Sequence, residues 1–206
     1  FTFLAILLSG CGPIDQLLME PAMSAEQWCQ GMPCVNLFDS DIILNQPFSS
    51  LLVYILGGAW LWAAWQFWKM KDNQKSKYWW SISLFLGGIA ALSAGTSYQA
   101  FGYELKCVGR ELCTWTSWWE IAYMVLQVGS LNSMLIAVAY SCTQGKWRKG
   151  LITYATINFI VHLVITIIGS ILPDKFLISF ELLVLFTTPT FFLYFMINGW
   201  RYHQFK

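Results

Sequence analysis

Five predominantly apolar stretches, at 48–68, 79–100, 118–140, 150–172 and 176–198, each run for 21 to 23 residues. At 1.5 Å per helical residue, every one of them can cross a hydrocarbon core about 30 Å thick. Hydrocarbon supplies no water to backbone amides, so an apolar segment of this length spans as a helix whose hydrogen bonds are internal. The expected fold is an all-α, polytopic transmembrane helical bundle with five spanning helices within 48–206. An irregular outer cap is expected over 12–47, and a short N-terminal signal or anchor segment over 1–11. The composition agrees, with 57% hydrophobic and only 11% charged residues among 206.

A net charge of +1 carries no electrostatic footprint for nucleic acid. The placement of the charge is more informative than its sum. Lys69, Lys71, Lys75 and Lys77 lie between the first two stretches, Lys146, Arg148 and Lys149 between the third and fourth, and Arg201 and Lys206 after the fifth. Opposite them stand only Lys106, Arg110 and Lys175. The positive-inside rule then puts residues 12–47 outside and the C-terminus in the cytoplasm. Trp65, Trp68, Trp79, Trp80, Trp147 and Trp200 fall at the inner interface and Trp115, Trp118 and Trp119 at the outer one, where indole is favoured.

Cys29, Cys34, Cys107 and Cys113 all lie on the outer side, where thiols can be oxidised, and Cys142 is cytoplasmic. Disulfides are expected within either outer loop or between the two loops. At the N-terminus, the apolar run Phe1 to Leu8 ends in Leu8, Ser9, Gly10 and Cys11, the small-residue pattern of a bacterial lipoprotein cleavage site. Cys11 is accordingly a lipidation candidate, the alternative being an uncleaved anchor. The implied location is the bacterial inner membrane. Pro13, Pro21, Pro33 and Pro47 interrupt any long helix in the acidic segment between.

Polar side chains inside the membrane carry most of the available chemistry. Glu120, Tyr123, Gln127 and Ser130 share one face of the third helix, and Asn158, His162 and Thr166 repeat at four on the fourth. Glu181 and Thr188 lie on the fifth, and Ser97, Tyr98 and Gln99 end the second. One reading is a polar cavity opening outward, with Tyr123, Gln127, His162 and Glu181 lining it around Ser97 and Glu120. The other is interhelical hydrogen bonding, worth about 0.6 kcal/mol per contact on average. Hydrogen bonding is the simpler account of Ser130, Asn158 and Thr166; the costlier carboxylates Glu120 and Glu181 point to the cavity. His162, without a histidine companion at ligand spacing, reads as a packed core residue.

Small residues at Gly87, Ala91 and Gly95, and at Gly129, Ser133 and Ala137, permit close helix approach. Pro189 among Thr187, Thr188 and Thr190 should kink the fifth helix. No pair of helices carries matched interruptions of the kind found at a transporter's midplane site.

Three segments in order resemble the CREST superfamily, the seven-helix membrane hydrolases that include alkaline ceramidases and the adiponectin and progestin receptors. Trp28 and Cys29 followed by Asn45, Gln46, Pro47, Phe48, Ser49 and Ser50 resemble its Trp-Cys-Glu and Asn-Thr-x-Ser-Asn patterns. Ala94, Gly95, Thr96 and Ser97 resemble its Gly-x-Gly-Ser, and Trp119 through Met124 its acidic third-helix opening. The resemblance covers residues 28–140 and implies a zinc held by three histidines that activates water against a lipid amide. Ser97 and Glu120 would be the catalytic serine and acid. The pattern's second-helix histidine would fall near Phe101 or Gly102, and Gln30 stands where it has Glu. The other two histidines belong to a seventh helix: in a fragment they would lie beyond Lys206, and in a complete chain the family's zinc site could not form. Glu104, seven residues after Ser97, is a substitute ligand to test.

Two function classes remain open. One is a divergent lipid hydrolase or lipid-binding relative acting on membrane lipids. The other is a non-catalytic structural or accessory subunit held among other membrane proteins.

Overall fold

The computed structural model describes residues 12–31, 33–37, 41–70 and 73–204, so Cys11 and the signal-like segment before it lie outside the described residues. Among the described residues seven α-helices follow one another: α1 (Ala25–Gly31), α2 (Pro47–Lys69), α3 (Lys75–Ala94), α4 (Gly102–Lys106), α5 (Trp118–Cys142), α6 (Gly145–Ile171) and α7 (Phe180–Gln204). α2, α3, α5, α6 and α7 are long and apolar enough to span a membrane, and the protein is a multi-pass helical membrane protein. The sheet content among described residues is one antiparallel ladder of β1 (Val35–Asn36) and β2 (Ile43–Leu44), plus a bridge between Leu18 and Thr114.

The helices outrun the hydropathic stretches. α3 starts at Lys75 and α6 at Gly145, because basic and aromatic turns remain helical in the headgroup layer where apolarity ends. α7 starts later than its stretch. Asp174 accepts the N–H groups of Phe176 and Leu177, and the Ser179 hydroxyl accepts that of Leu182, so residues 174–179 form a capped turn.

α5 is the hub. Two-thirds of its spanning window is buried inside the protein, against 17% for α2 and α6 and 22% for α7, whose apolar faces are left for lipid. α3 meets α5 through a reciprocal clasp: Ser83 Oγ donates to the Ser130 carbonyl at 2.9 Å and Ser130 Oγ to the Ser83 carbonyl at 2.8 Å. Asn158 of α6 reaches the Asn132 amide oxygen of α5 at 3.2 Å and the Phe186 carbonyl of α7, beside Pro189, at 3.1 Å. Ser130 and Asn158 therefore act as interhelical hydrogen-bonding groups. Thr166 is buried with no partner for its hydroxyl among described residues.

α2 crosses α3 where two glycines meet. A Cβ on Gly88 would lie 3.1 Å from the Gly57 carbonyl and 2.8 Å from Leu61, and one on Gly57 would lie 3.2 Å from the Gly88 carbonyl. This contact falls outside the small-residue stripes, whose Gly87 faces Trp60 and Ser130, and Gly129 faces Phe159. Overpacking such a crossing costs about 1–3 kcal/mol. Gly88→Val should lower the melting temperature in detergent, whereas Gly58→Val, whose added atoms meet open space, should leave it unchanged.

Candidate functional site

At the end of the bundle away from the Lys75 and Lys146 turns, α3 continues as a π-helical segment over Gly95–Ala100. A π turn inserts an extra residue and rotates the rest of the helix about its axis, and such segments concentrate at functional sites. Here it directs Ser97 at α5. Thr96 stays in the helix wall, donating to the Leu92 carbonyl and meeting the Tyr54 hydroxyl at 3.0 Å.

α5 opens with Ser117 as its N-cap, the hydroxyl accepting the Glu120 N–H at 3.4 Å. Ser97 Oγ donates to Glu120 Oε1 at 2.8 Å and lies 2.7 Å from Ser117 Oγ. A serine has one hydroxyl proton, so Ser117 is the donor in that second contact. The result is a closed circuit from the Glu120 N–H through both serines to the Glu120 carboxylate. Thr116 Oγ1 donates to the other carboxylate oxygen at 3.0 Å.

The counter-charge is Lys106, at the end of α4. Its Nζ lies 2.5 Å from Glu120 Oε1, donates to the Trp115 carbonyl at 3.2 Å, and stands 5.4 Å from the centroid of the Tyr98 ring. Glu120 is 3% exposed, Lys106 6% and Ser97 1%. Both carboxylate oxygens thus have partners, and the ammonium has two acceptors and an aromatic face beside it, in a site nearly closed to solvent. Tyr98 meets Tyr123 edge to face at 6.1 Å beside this cluster.

The loops at this end of the bundle fold over the cluster. Cys29–Cys34 and Cys107–Cys113 are disulfide bonded, each within its own loop, and together with Trp28 they form a small core. Backbone bonds from Met19 to Cys113, Cys113 to Met23 and Trp115 to Leu17 stitch the N-terminal segment to the loop that carries Lys106. The Asp15–Arg110 ion pair at 3.0 Å and the exposed Glu20–Lys175 pair at 2.6 Å extend the seam. Asn45, fully buried, donates its N–H to the Ala100 carbonyl and accepts that of Tyr103 at 2.9 Å, fastening the start of α2 to the π segment.

The structure brings Ser97 and Glu120 together, with Tyr123 adjacent, and keeps other sequence candidates apart. Gln127 is partly buried about two turns further along α5. Glu181 is exposed on the first turn of α7, because Leu182 and Leu183 take the inward positions. His162 is buried edge-on to Phe186 at 5.2 Å, roughly two and a half turns below the cap end of α6, and its Nδ1 has no hydrogen-bond partner among described residues. It is a core residue of the α6–α7 contact. Lys106, Thr116 and Ser117 are the members that sequence reasoning missed. The signal for one of them was present: Ser117, Trp118, Trp119, Glu120 has the spacing of a helix-capping pair ahead of an apolar run.

A zinc of the kind implied by the sequence resemblance does not fit these residues. No group of three His, Cys, Asp or Glu side chains converges among the described residues. Gly102, one of the two positions near which the histidine would fall, is too crowded for one: its Cβ would sit 2.9 Å from the Ser97 carbonyl and 3.3 Å from Trp28. Glu104 accepts the Ile43 N–H at 2.7 Å and so tethers β2. Compared with protein families, with curated proteins and with solved structures, the chain matches none.

Removing one partner of a buried ion pair costs about 3–5 kcal/mol, whereas replacing both by apolar groups is often neutral. Glu120→Gln or Lys106→Met alone should therefore destabilise the protein by roughly that amount. Lys106→Met combined with Glu120→Leu should recover most of the loss in a thermal melt.

Proposed function

We propose that this chain is a non-catalytic subunit of a membrane assembly, a lipid-embedded bundle that presents a disulfide-braced cap. The observation that carries the reading is the enclosure of Glu120, 3% exposed and with partners on both carboxylate oxygens. A general acid, base or nucleophile needs a face open to substrate. Here Glu120 is held by Ser97, Lys106 and Thr116, and Ser97 and Lys106 are tied in turn to Ser117 and the Trp115 carbonyl, under the folded loops. A pair of this kind holds one arrangement of the chain, the role best attested for buried polar groups.

In this reading the protein sits in a bacterial inner membrane with the cap outside and the C-terminus in the cytoplasm. Support comes from the basic turns at the end remote from both disulfides and from the oxidising compartment that disulfides require. Partners would be other membrane subunits, met through the cap and the exposed apolar faces. A second reading, a lipid amide hydrolase or a descendant that binds lipid without cleaving it, has one observation in its favour: the 2.8 Å contact of Ser97 with Glu120 on a π segment.

Two measurements test the proposal. The purified chain should show no turnover of ceramide or N-acyl phospholipid, and it should leave its native membrane in mild detergent with a stoichiometric partner. Turnover that disappears in a folded Ser97→Ala variant would replace this reading with the hydrolase. In a Cys11→Ser background, an impermeant maleimide applied to spheroplasts should spare Cys142, the free cysteine among described residues, until the membrane is opened. Labelling from outside would reverse the orientation.

A further inference from the structure

The two bridges of the cap are not equivalent. Cys107 and Cys113 are each 1% exposed and are packed with Trp28. Cys29 and Cys34 are half-buried, and their chain neighbours Gln30 and Val35 are exposed. Thiol–disulfide exchange requires a thiolate to reach one sulfur of the pair, so access already separates the two bridges.

A second feature separates the two sulfurs of the more open bridge. Asn45, between β2 and α2, donates from Nδ2 to Cys34 Sγ at 3.6 Å, within reach for a sulfur acceptor. Its orientation is not free. Asn45 Oδ1 accepts the Tyr103 N–H at 2.9 Å, and a backbone amide can only donate, so the NH2 group is turned to the sulfur. The residue is fully buried and gives its own N–H to the Ala100 carbonyl, so the π segment and α4 hold it in place.

A donor fixed on one sulfur decides which way the bridge breaks. When a thiolate attacks a disulfide, the sulfur that is not attacked departs with the charge, and it departs faster where that charge is stabilised. A hydrogen bond to sulfur strengthens as the sulfur becomes anionic. Cys34, backed by Asn45, is therefore the better leaving group, and Cys29 on α1 is the sulfur to attack.

We propose that Cys29–Cys34 is a thiol–disulfide exchange site for an external dithiol. The dithiol's thiolate bonds to Cys29 Sγ as the bond between Cys29 and Cys34 breaks, and Cys34 Sγ leaves as a thiolate held by Asn45. The second thiol, once deprotonated, attacks its own partner sulfur in the mixed disulfide and expels the Cys29 thiolate. The dithiol ends as a disulfide, the chain gains two electrons, and the two protons given up by the dithiol neutralise the two cysteines. Cys107–Cys113 keeps Lys106 in place throughout. The inference is independent of the ion pair under the cap and of the subunit reading.

The test uses the full chain in detergent, below its melting temperature. Dithiothreitol followed by alkylation and peptide mapping should open Cys29–Cys34 while Cys107–Cys113 stays bonded. Opening of both bridges together, or of neither before the chain unfolds, would overturn the site. With glutathione and a rapid acid quench, the mixed disulfide should form at Cys29 over Cys34 by roughly tenfold, the effect of one hydrogen bond to a charged group. An even split, as for a brace that is merely accessible, would overturn it too. Asn45→Ala should bring the split close to even, and a preference that survives in the folded variant would overturn the assignment. If that variant fails to fold, the wild-type split still decides the matter. In a second arm, thioredoxin lacking its resolving cysteine is offered to the chain. An adduct trapped at Cys29 would assign the dithiol to a protein, and adducts with glutathione alone would assign it to a small thiol.

Discussion

A carboxylate inside a membrane protein must be neutralised where it stands, since transferring a lone ion out of water costs several kcal/mol even after the surroundings relax. Glu120, in the first turn of α5, imposes that requirement on everything around it. Neither α3 nor α5 supplies the needed cation, so it comes from the connection between them. Bringing Lys106 inward takes the short helix α4, the loop closed by Cys107–Cys113, and a backbone bond from Thr114 to the Lys106 carbonyl. That loop would leave the pair wet if it stood alone. The N-terminal segment runs across it, and Ile14 inserts among Ile121, Met124 and Ile178. The cap is thus a means of keeping water from a charge pair as much as a domain in its own right.

The bundle was legible in advance because spanning length and apolarity are strong one-dimensional signals, and the distribution of basic residues along the chain is another. The pairing of Ser97 with Glu120 was also within reach, since both stand near the same membrane surface on consecutive spans. Lys106 was harder to read. As one of three basic residues in the loops read as outer it served as a marker of orientation, although an intramembrane carboxylate should have prompted a search for its partner within that short set. Glu181 misled for the opposite reason: a carboxylate near a helix end can reach the surface, so its position in an apolar stretch did not require burial. The Gly57–Gly88 crossing escaped because spacing along one helix cannot say which glycine meets which.

Below the cap several polar side chains join one helix to another. Ser81 reaches the Ala64 carbonyl, Ser76 the Ala137 carbonyl, and the Ser83–Ser130 clasp and Asn132–Asn158 contact link α3, α5 and α6. In lipid, where apolar contact between helices has little advantage over contact with acyl chains, such bonds and close packing select one arrangement. All but the Ser81 bond, which joins α3 to α2, involve α5, which explains how α6 can leave most of its surface to lipid and still hold its position.

The seam between cap and bundle has a consequence for biogenesis. Ile14 packs on Ile178, and Glu20 pairs with Lys175, so the earliest described residues rest on the turn that precedes the last helix. During synthesis the cap emerges first and its seat is made last. Until α6 and α7 have inserted, the loop carrying Lys106 has only part of its cover and the four cap cysteines remain open to the wrong pairings. Oxidation into the two local bridges before the final hairpin arrives restricts that choice, because each joins residues only five or six apart. Correct assembly of the cap is then a record that α6 and the turn before α7 have been put in place.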